Sequence, residues 1–324
     1  MEMEKVPQAG YEIKGLTISG FNRSSLFKNL LLPFKLLKSF GEVASIFRSF
    51  KPDAVLGVGG YSTFPVLRYA QSKGIPTFIH EANSFGGKAN QMLAKKATMI
   101  YTGPDGMEKF FPAERLLVTG NPVRQVIVQS VGKISQSEAL QSFQLQPGKR
   151  TVLVVGGSLG AKSINEAIAS NLDAFAAHNL QLIWQTGKLF IDQARTLASG
   201  KPNVFVSDFI SSMEMAYAAA DVVVSRSGAM AIAELCLVQK PTIFVPYPHA
   251  AEDHQTANAM KLVRQQAALL VKDSEAAAQL MPALINLAGD EHKQKDIIQH
   301  IRPLGIADAD ERVATDMLNK LAKR

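Results

Sequence analysis

Two turns in the second half of the chain have the composition needed to hold an anion. The apolar run Thr151 to Val155 leads into Gly156-Gly157-Ser158-Leu159-Gly160-Ala161, and a helical pattern starts near Lys162. Glycine lets a backbone turn sharply and approach a phosphate, while free N–H groups and the dipole of the following helix favour negative charge. Ser158 adds a hydroxyl donor. Alone, this signal also fits glycines that merely pack a helix onto a strand. A second unit of the same kind tips the balance: Val222 to Ser225 leads into Arg226-Ser227-Gly228-Ala229-Met230 and a helix at once. Glu234 falls about two turns into that helix, where a carboxylate can accept from a ribose diol. Its neighbours Ile232, Ala233, Leu235 and Cys236 are apolar, so it is expected to be a partly buried acid that needs partners.

Further polar residues follow other apolar runs. Thr242 to Val245 ends in Pro246-Tyr247-Pro248-His249, followed by Glu252-Asp253-His254-Gln255-Thr256-Ala257-Asn258. A metal cluster there matches no standard ligand spacing, and Gln255 and Asn258 read better as partners of sugar or ribose hydroxyls. In the first half, Gly59-Gly60-Tyr61-Ser62 and His80-Glu81-Ala82-Asn83-Ser84 occupy similar positions. His80 reads as a general base oriented by Glu81 or as an ordinary loop histidine, and the residues alone favour the second. Arg124, in Asn121-Pro122-Val123-Arg124, could reach a diphosphate, although a single arginine is more often structural.

The elements that must position these residues alternate regularly. Short runs rich in Val, Ile and Phe at Ala54–Val58, Thr77–His80, Met99–Tyr101 and Leu116–Thr119 are separated by helical patterns. So are the runs at Thr151–Val155, Gln181–Gln185, Val204–Val206, Val222–Ser225 and Thr242–Val245. That rhythm predicts βαβ units with parallel sheets covered on both faces. The 324 residues suit two domains. The strand rhythm pauses between Asn121 and Arg150, which places the division near Val126: a first domain over 1–126, a second over 127–303 and a C-terminal helix over 304–324. That last helix is expected to pack back on the first domain.

Composition excludes several classes. With 47% hydrophobic and 19% charged residues the chain is foldable rather than disordered. The lone Cys236 excludes a disulfide framework and a thiolate metal cluster. No apolar run is long enough to span a bilayer, and the first residues lack a signal pattern, so a cytoplasmic location is expected. The net charge of +7 suits an anionic partner. Between Gly20 and Lys51, six cations (Arg23, Lys28, Lys35, Lys38, Arg48, Lys51) face one acid, Glu42. Across Ser25 to Phe50 these are interleaved with leucines and phenylalanines on more than one stripe. That pattern suits the surface of an anionic membrane better than a single core face. Phenylalanines embedded among leucines argue against a nucleic-acid stacking platform.

In this order, the turns resemble the MurG family. The resemblance rests on Gly59-Gly60-Tyr61, His80-Glu81-Ala82-Asn83, Gly120-Asn121-Pro122-Val123-Arg124, Gly156 to Ala161, Ser225 to Ala229, Glu234 and Glu252-Asp253-His254-Gln255. It implies an α/β GT-B fold of two Rossmann-like parallel-sheet domains facing a cleft. It also implies transfer of N-acetylglucosamine from UDP-N-acetylglucosamine to undecaprenyl-pyrophosphoryl-N-acetylmuramyl-pentapeptide, with inversion and without cofactor or metal. By the same resemblance Ser158 would contact the diphosphate with Arg124 beside it, and Ile210 would offer its backbone to the uracil with Phe209 as a cap. Ala229, Met230 and Glu234 would line sugar and ribose, and Asn83 and Gln255 would hold the N-acetylglucosamine. The general base is not assigned.

The chain departs from the family pattern twice. Leu159 stands where a glutamine is usual, and the family's first strand and glycine-rich, histidine-containing loop have no counterpart before Tyr11. The first domain is therefore expected to be N-terminally truncated. The competing expectations are a UDP-N-acetylglucosamine epimerase, or a non-catalytic protein that binds sugar nucleotide or membrane.

Overall fold

A computed structural model describes residues 2–20 and 30–323. The chain forms two compact units. One comprises Met1–Ala82, Gly86–Thr119 and Val313–Arg324, and the other Asn83–Phe85 and Gly120–Arg312. The second unit starts ahead of Val126 because Val123 and Ile127 are already buried in its core, among Leu140, Leu153 and Ile183.

The first unit holds a parallel sheet of β1 (Val55–Gly57), β2 (Thr77–Glu81), β3 (Met99–Thr102) and β4 (Leu116–Val118), ordered as in the chain. Ile79, Ile100, Leu67 and Leu93 form the core on one face. On the other, Phe78 and Tyr101 are covered by Val313, Met317 and Leu321 of the helix Ala309–Ala322. The buried Tyr101 hydroxyl donates to Asp316 at 2.9 Å, which satisfies it where water cannot reach.

The second unit has six parallel strands: β5 (Arg150–Val155), β6 (Leu180–Gln185), β7 (Val204–Ser207), β8 (Val222–Ser225), β9 (Thr242–Phe244) and β10 (Leu269–Leu270). Their order is β10-β9-β8-β5-β6-β7. The chain leaves β5 in one direction through β6 and β7, then returns to its other side at β8. The strand order thus reverses between β5 and β8, and in open α/β sheets ligands bind at the carboxyl ends of strands beside such a reversal. Val152, Val154, Val222 and Val224 pack into one core, and Leu153 and Val223 into the opposite one, which explains why these strands are apolar throughout. The two-residue β10 has no period long enough to stand out in sequence and forms by pairing with β9.

Cys236 lies in the helix Ala229–Leu237, and burial pushes its thiol up to about 12. The thiolate is the reactive form. Native protein is therefore expected to give no colour with Ellman's reagent at pH 8 and one thiol per chain after denaturation. Labelling of the native state would contradict this packing.

Candidate functional site

Val155 at the end of β5 pairs in register with Ser225 at the end of β8, so the two anion-type turns of the second unit start side by side. In the first turn Gly157 has φ +88° and Gly160 φ +79°, a region that side chains resist. A Cβ on Gly160 would lie 2.0 Å from the Thr186 carbonyl oxygen, and one on Gly187 would lie 2.3 Å from that of Leu159. The loop is thus seated backbone against backbone on the end of β6. Ser158 is exposed at its tip, and the helix Lys162–Ala169 follows. Asn165 of that helix accepts from Trp184 Nε1 at 3.1 Å and donates to the Thr186 carbonyl at 2.8 Å, which fixes the helix start against the same strand.

The second turn is braced by Arg226. Its guanidinium donates to the carbonyls of Val245 (2.9 Å) and Pro246 (3.1 Å) and to Ser163 Oγ (3.2 Å), and it pairs with Asp273. Arg226 therefore ties both turns to the end of β9. Gly228 is the extended residue before the helix Ala229–Leu237, whose first N–H groups have no partner within the helix. Met230 is exposed on its first turn.

Glu234 is buried, at 8% exposure, and engaged. Arg124 donates to it twice, Nε to Oε1 at 2.9 Å and Nη2 to Oε2 at 3.2 Å, and the buried Tyr217 hydroxyl donates to Oε2 at 2.9 Å. Burial works against the Arg124 charge, but the bond to Glu234 and its negative charge outweigh it and hold the guanidinium's pKa above its usual value. Burial, then the Glu234 charge, raises the Tyr217 phenol well above its ordinary range, so it remains a donor at any working pH. An ionised carboxylate offers about four acceptor positions, of which three are filled here. The fourth, on Oε1, accepts nothing from the described residues. Arg124 and Glu234, expected to act on separate parts of a ligand, are thus partners of one another. Tyr217 had no sequence signal beyond an aromatic in an alanine-rich helix.

Ile210 is also partly engaged, because its N–H donates to Gln185 Oε1 at 2.9 Å. Its carbonyl accepts no hydrogen bond from the described residues, and Phe209 beside it is exposed. Gln255 directs Oε1 at the Tyr247 N–H (3.0 Å), and its carbonyl accepts from Ser227 Oγ (2.8 Å).

Asn258, read from the sequence as a hydroxyl partner, is instead internal. Its Oδ1 accepts from the Ser84 N–H at 2.8 Å, and its Nδ2 donates to Asn83 Oδ1 (3.2 Å) and the Ser227 carbonyl (3.3 Å). Asn258 therefore holds Asn83 beside the Ser227 turn. The intervening residues Glu252 and Asp253 both adopt left-handed backbone, at φ 56° and 52°.

In the first unit, Gly59 and Gly60 turn with φ +90° and +79° after β1. Glu81 is buried and its Oε2 accepts from the Gly87 N–H (2.9 Å) and Asn90 Nδ2 (2.8 Å), so it organises its own loop. His80 is buried beside it. His254 Nδ1 lies 2.6 Å from the Ala251 carbonyl, and Asp253 accepts from Thr256. Among the described residues no three or more His, Cys, Asp or Glu are grouped to hold a metal ion.

Comparison with known proteins agrees with this architecture. Residues 1–102 match the glycosyltransferase family 28 N-terminal domain and residues 151–312 the C-terminal domain of that family. A UDP-N-acetylglucosamine--N-acetylmuramyl-(pentapeptide) pyrophosphoryl-undecaprenol N-acetylglucosamine transferase of Bacteroides thetaiotaomicron is 46% identical over 327 residues, covering 100% of this chain and 87% of the relative. The protein of the same name from Flavobacterium psychrophilum is 44% identical, covering 98% and 86%. Among solved structures, Acinetobacter baumannii MurG superposes with a TM-score of 0.77 at 27% identity, covering 99% of this chain and 88% of that one. A UDP-N-acetylglucosamine 2-epimerase at 16% identity, TM-score 0.62, covering 90% and 78%, shares the fold alone. The two Rossmann-like parallel-sheet units are of the GT-B class, and the chain belongs to the MurG family of glycosyltransferases.

Proposed function

We propose that the second unit binds UDP-N-acetylglucosamine at the ends of β5 and β8 and that the enzyme transfers its sugar to an undecaprenyl-pyrophosphoryl-muramyl-pentapeptide. The observation that carries this reading is the side-by-side placement of the Gly156–Ala161 and Arg226–Gly228 turns at the strand reversal, in a chain 46% identical to transferases of that name. Ser158 and the start of the helix Lys162–Ala169 would receive the diphosphate. The Ile210 carbonyl would read the uracil, with Phe209 as a cap, and Glu234 would accept from the ribose. Ala229, Met230, Gln255 and Asn83 would surround the N-acetylglucosamine, and Arg124, already on Glu234, would lie at the ribose end. When an acceptor hydroxyl attacks the anomeric carbon, the C–O bond to the diphosphate breaks and negative charge grows on the departing UDP. Fixed N–H donors stabilise that charge without reorganising. Ser158→Ala is expected to weaken UDP binding about tenfold to a hundredfold by calorimetry, the loss of one hydrogen bond to a charged group. Unchanged affinity would remove Ser158 from the site.

The acceptor is a membrane lipid, and the first unit offers a surface for it. The helix Leu32–Phe50 buries Ser39 and Val43, and Phe47 packs edge-on against Tyr69. Leu30, Leu31, Phe34 and Leu37 remain exposed beside Lys35 and Lys38. Residues 25–29 of the basic segment lie outside the described residues. Among the described residues no helix is long and apolar enough to cross a membrane. Apolar side chains flanked by lysines suit peripheral attachment to the cytoplasmic face of an anionic bilayer. The double variant Phe34→Ser/Leu37→Ser is expected to lose most sedimentation with phosphatidylglycerol vesicles while keeping UDP affinity. Undiminished sedimentation would place the membrane surface elsewhere.

A further inference from the structure

β6 is buried along its whole length and ends in a polar residue, Gln185, which is 3% exposed. Both ends of its amide are engaged in different loops. Nε2 donates to the Gly157 carbonyl at 3.0 Å, and Oε1 accepts from the Ile210 N–H at 2.9 Å. Gln185 lies opposite Val155 in the register of β5 and β6, and so directly beneath the glycine turn. The peptide joining Gly157 to Ser158 is planar and trans, so its carbonyl and its N–H point in opposite directions. A bond that pins the Gly157 carbonyl therefore aims the Ser158 N–H the other way. A Cβ at Gly157 would meet nothing within 4 Å, so the turn is open on that side. The restraint comes from two donors on one oxygen, the Gly160 N–H at 3.0 Å and Gln185.

We propose that Gln185 is a positioning residue for the donor: it orients the Ser158 N–H toward the diphosphate and ties that loop to the Ile210 segment, where the base is read. The inference rests on the UDP reading of the same site. Gln185 touches no ligand atom in this scheme and acts through two backbone groups. One amide spans both segments, so base and diphosphate are received by a single rigid piece rather than by two independent loops. The chemistry recognised is a pyrimidine nucleoside diphosphate, and the energetic share attributed to Gln185 lies mainly in the diphosphate.

The test compares uridine and UDP on the full chain by calorimetry, in wild type, Gln185→Met and Gln185→Asn. Methionine matches the length but removes both hydrogen bonds, and asparagine keeps an amide that is one methylene too short to reach both loops. In each variant the UDP dissociation constant is expected to rise about tenfold or more while that for uridine rises about threefold or less. The KM for the UDP-sugar should rise with it and kcat should change less. Equal weakening of uridine and UDP would reduce Gln185 to general support of the fold, and unchanged UDP binding would overturn the proposal outright. If Gln185→Met does not fold, Gln185→Asn carries the comparison. Wild type that fails to bind UDP would overturn the donor reading itself, and this inference with it.

Discussion

Glu234→Ala is expected to lose both stability and donor affinity. The carboxylate is the acceptor for the Tyr217 hydroxyl, which is buried and would be left without it. An orphaned buried hydroxyl costs about 1–3 kcal/mol. Arg124 loses a bidentate partner as well, but its side chain is 49% exposed and water replaces much of what it gives up. In a unit of this size each kcal/mol lowers Tm by about 2–4 °C. UDP affinity is expected to fall about tenfold or more, through the lost ribose acceptor and the released Arg124. Tyr217→Phe separates the two effects. It removes one donor, costs about 1 kcal/mol, and leaves Arg124 on Glu234 and UDP binding nearly intact. Calorimetric melting and UDP titration of both variants check this, and a Glu234→Ala protein with wild-type Tm and affinity would refute the triad.

Gly160→Ala is expected to have the largest effect of any single methyl group in the second unit. The new Cβ would fall 2.0 Å from the Thr186 carbonyl oxygen and 2.9 Å from its carbon, both backbone atoms at the end of a buried strand. The left-handed φ of +79° adds about 1–2 kcal/mol, and forcing the loop off Thr186 a further 1–3 kcal/mol or so. Gly157→Ala is the control: at φ +88° it carries the same conformational cost but meets nothing within 4 Å. Melting temperatures should therefore fall in the order wild type, Gly157→Ala, Gly160→Ala. Gly160→Ala should also lose most UDP binding, because the loop cannot keep its seat. If the two variants melt together, the close approach to Thr186 has no energetic weight.

Legibility in the sequence follows the physics of each feature. Strands such as Val152-Leu153-Val154-Val155 and Val222-Val223-Val224 are visible because a strand buried on both faces must be apolar at every position. The glycines of the phosphate-type turn are visible because left-handed backbone at Gly157 and Gly160, and the close approach of Gly160 to Thr186, favour glycine there. The pairing of Arg124 with Glu234 is not, since 110 residues separate the two and no local pattern joins them. Gln185 carries only a weak signal, a polar residue at the end of β6 before Thr186-Gly187, and what its amide spans appears only when β5, β6 and the Ile210 loop are assembled. Asn258 shows the opposite case: among polar neighbours it looks like a ligand residue, and three internal hydrogen bonds make it a brace. Within the first unit the basic, leucine-rich segment is legible because its apolar residues exceed what one buried helix face can use.

The placement of residues from Val313 onward with the first unit bears on the order in which the protein is made. Phe78 and Tyr101 are covered on one side by Val313, Met317 and Leu321, all three of which are synthesised after the whole of the second unit. On a ribosome the second unit, complete once Arg312 has emerged, can close before the first has its final layer. Until then the first unit presents an open aromatic face and an uncapped Tyr101 hydroxyl. Chain termination shortly before Val313 would thus spare the later-encoded unit and leave the earlier-encoded one as a substrate for chaperones and proteases.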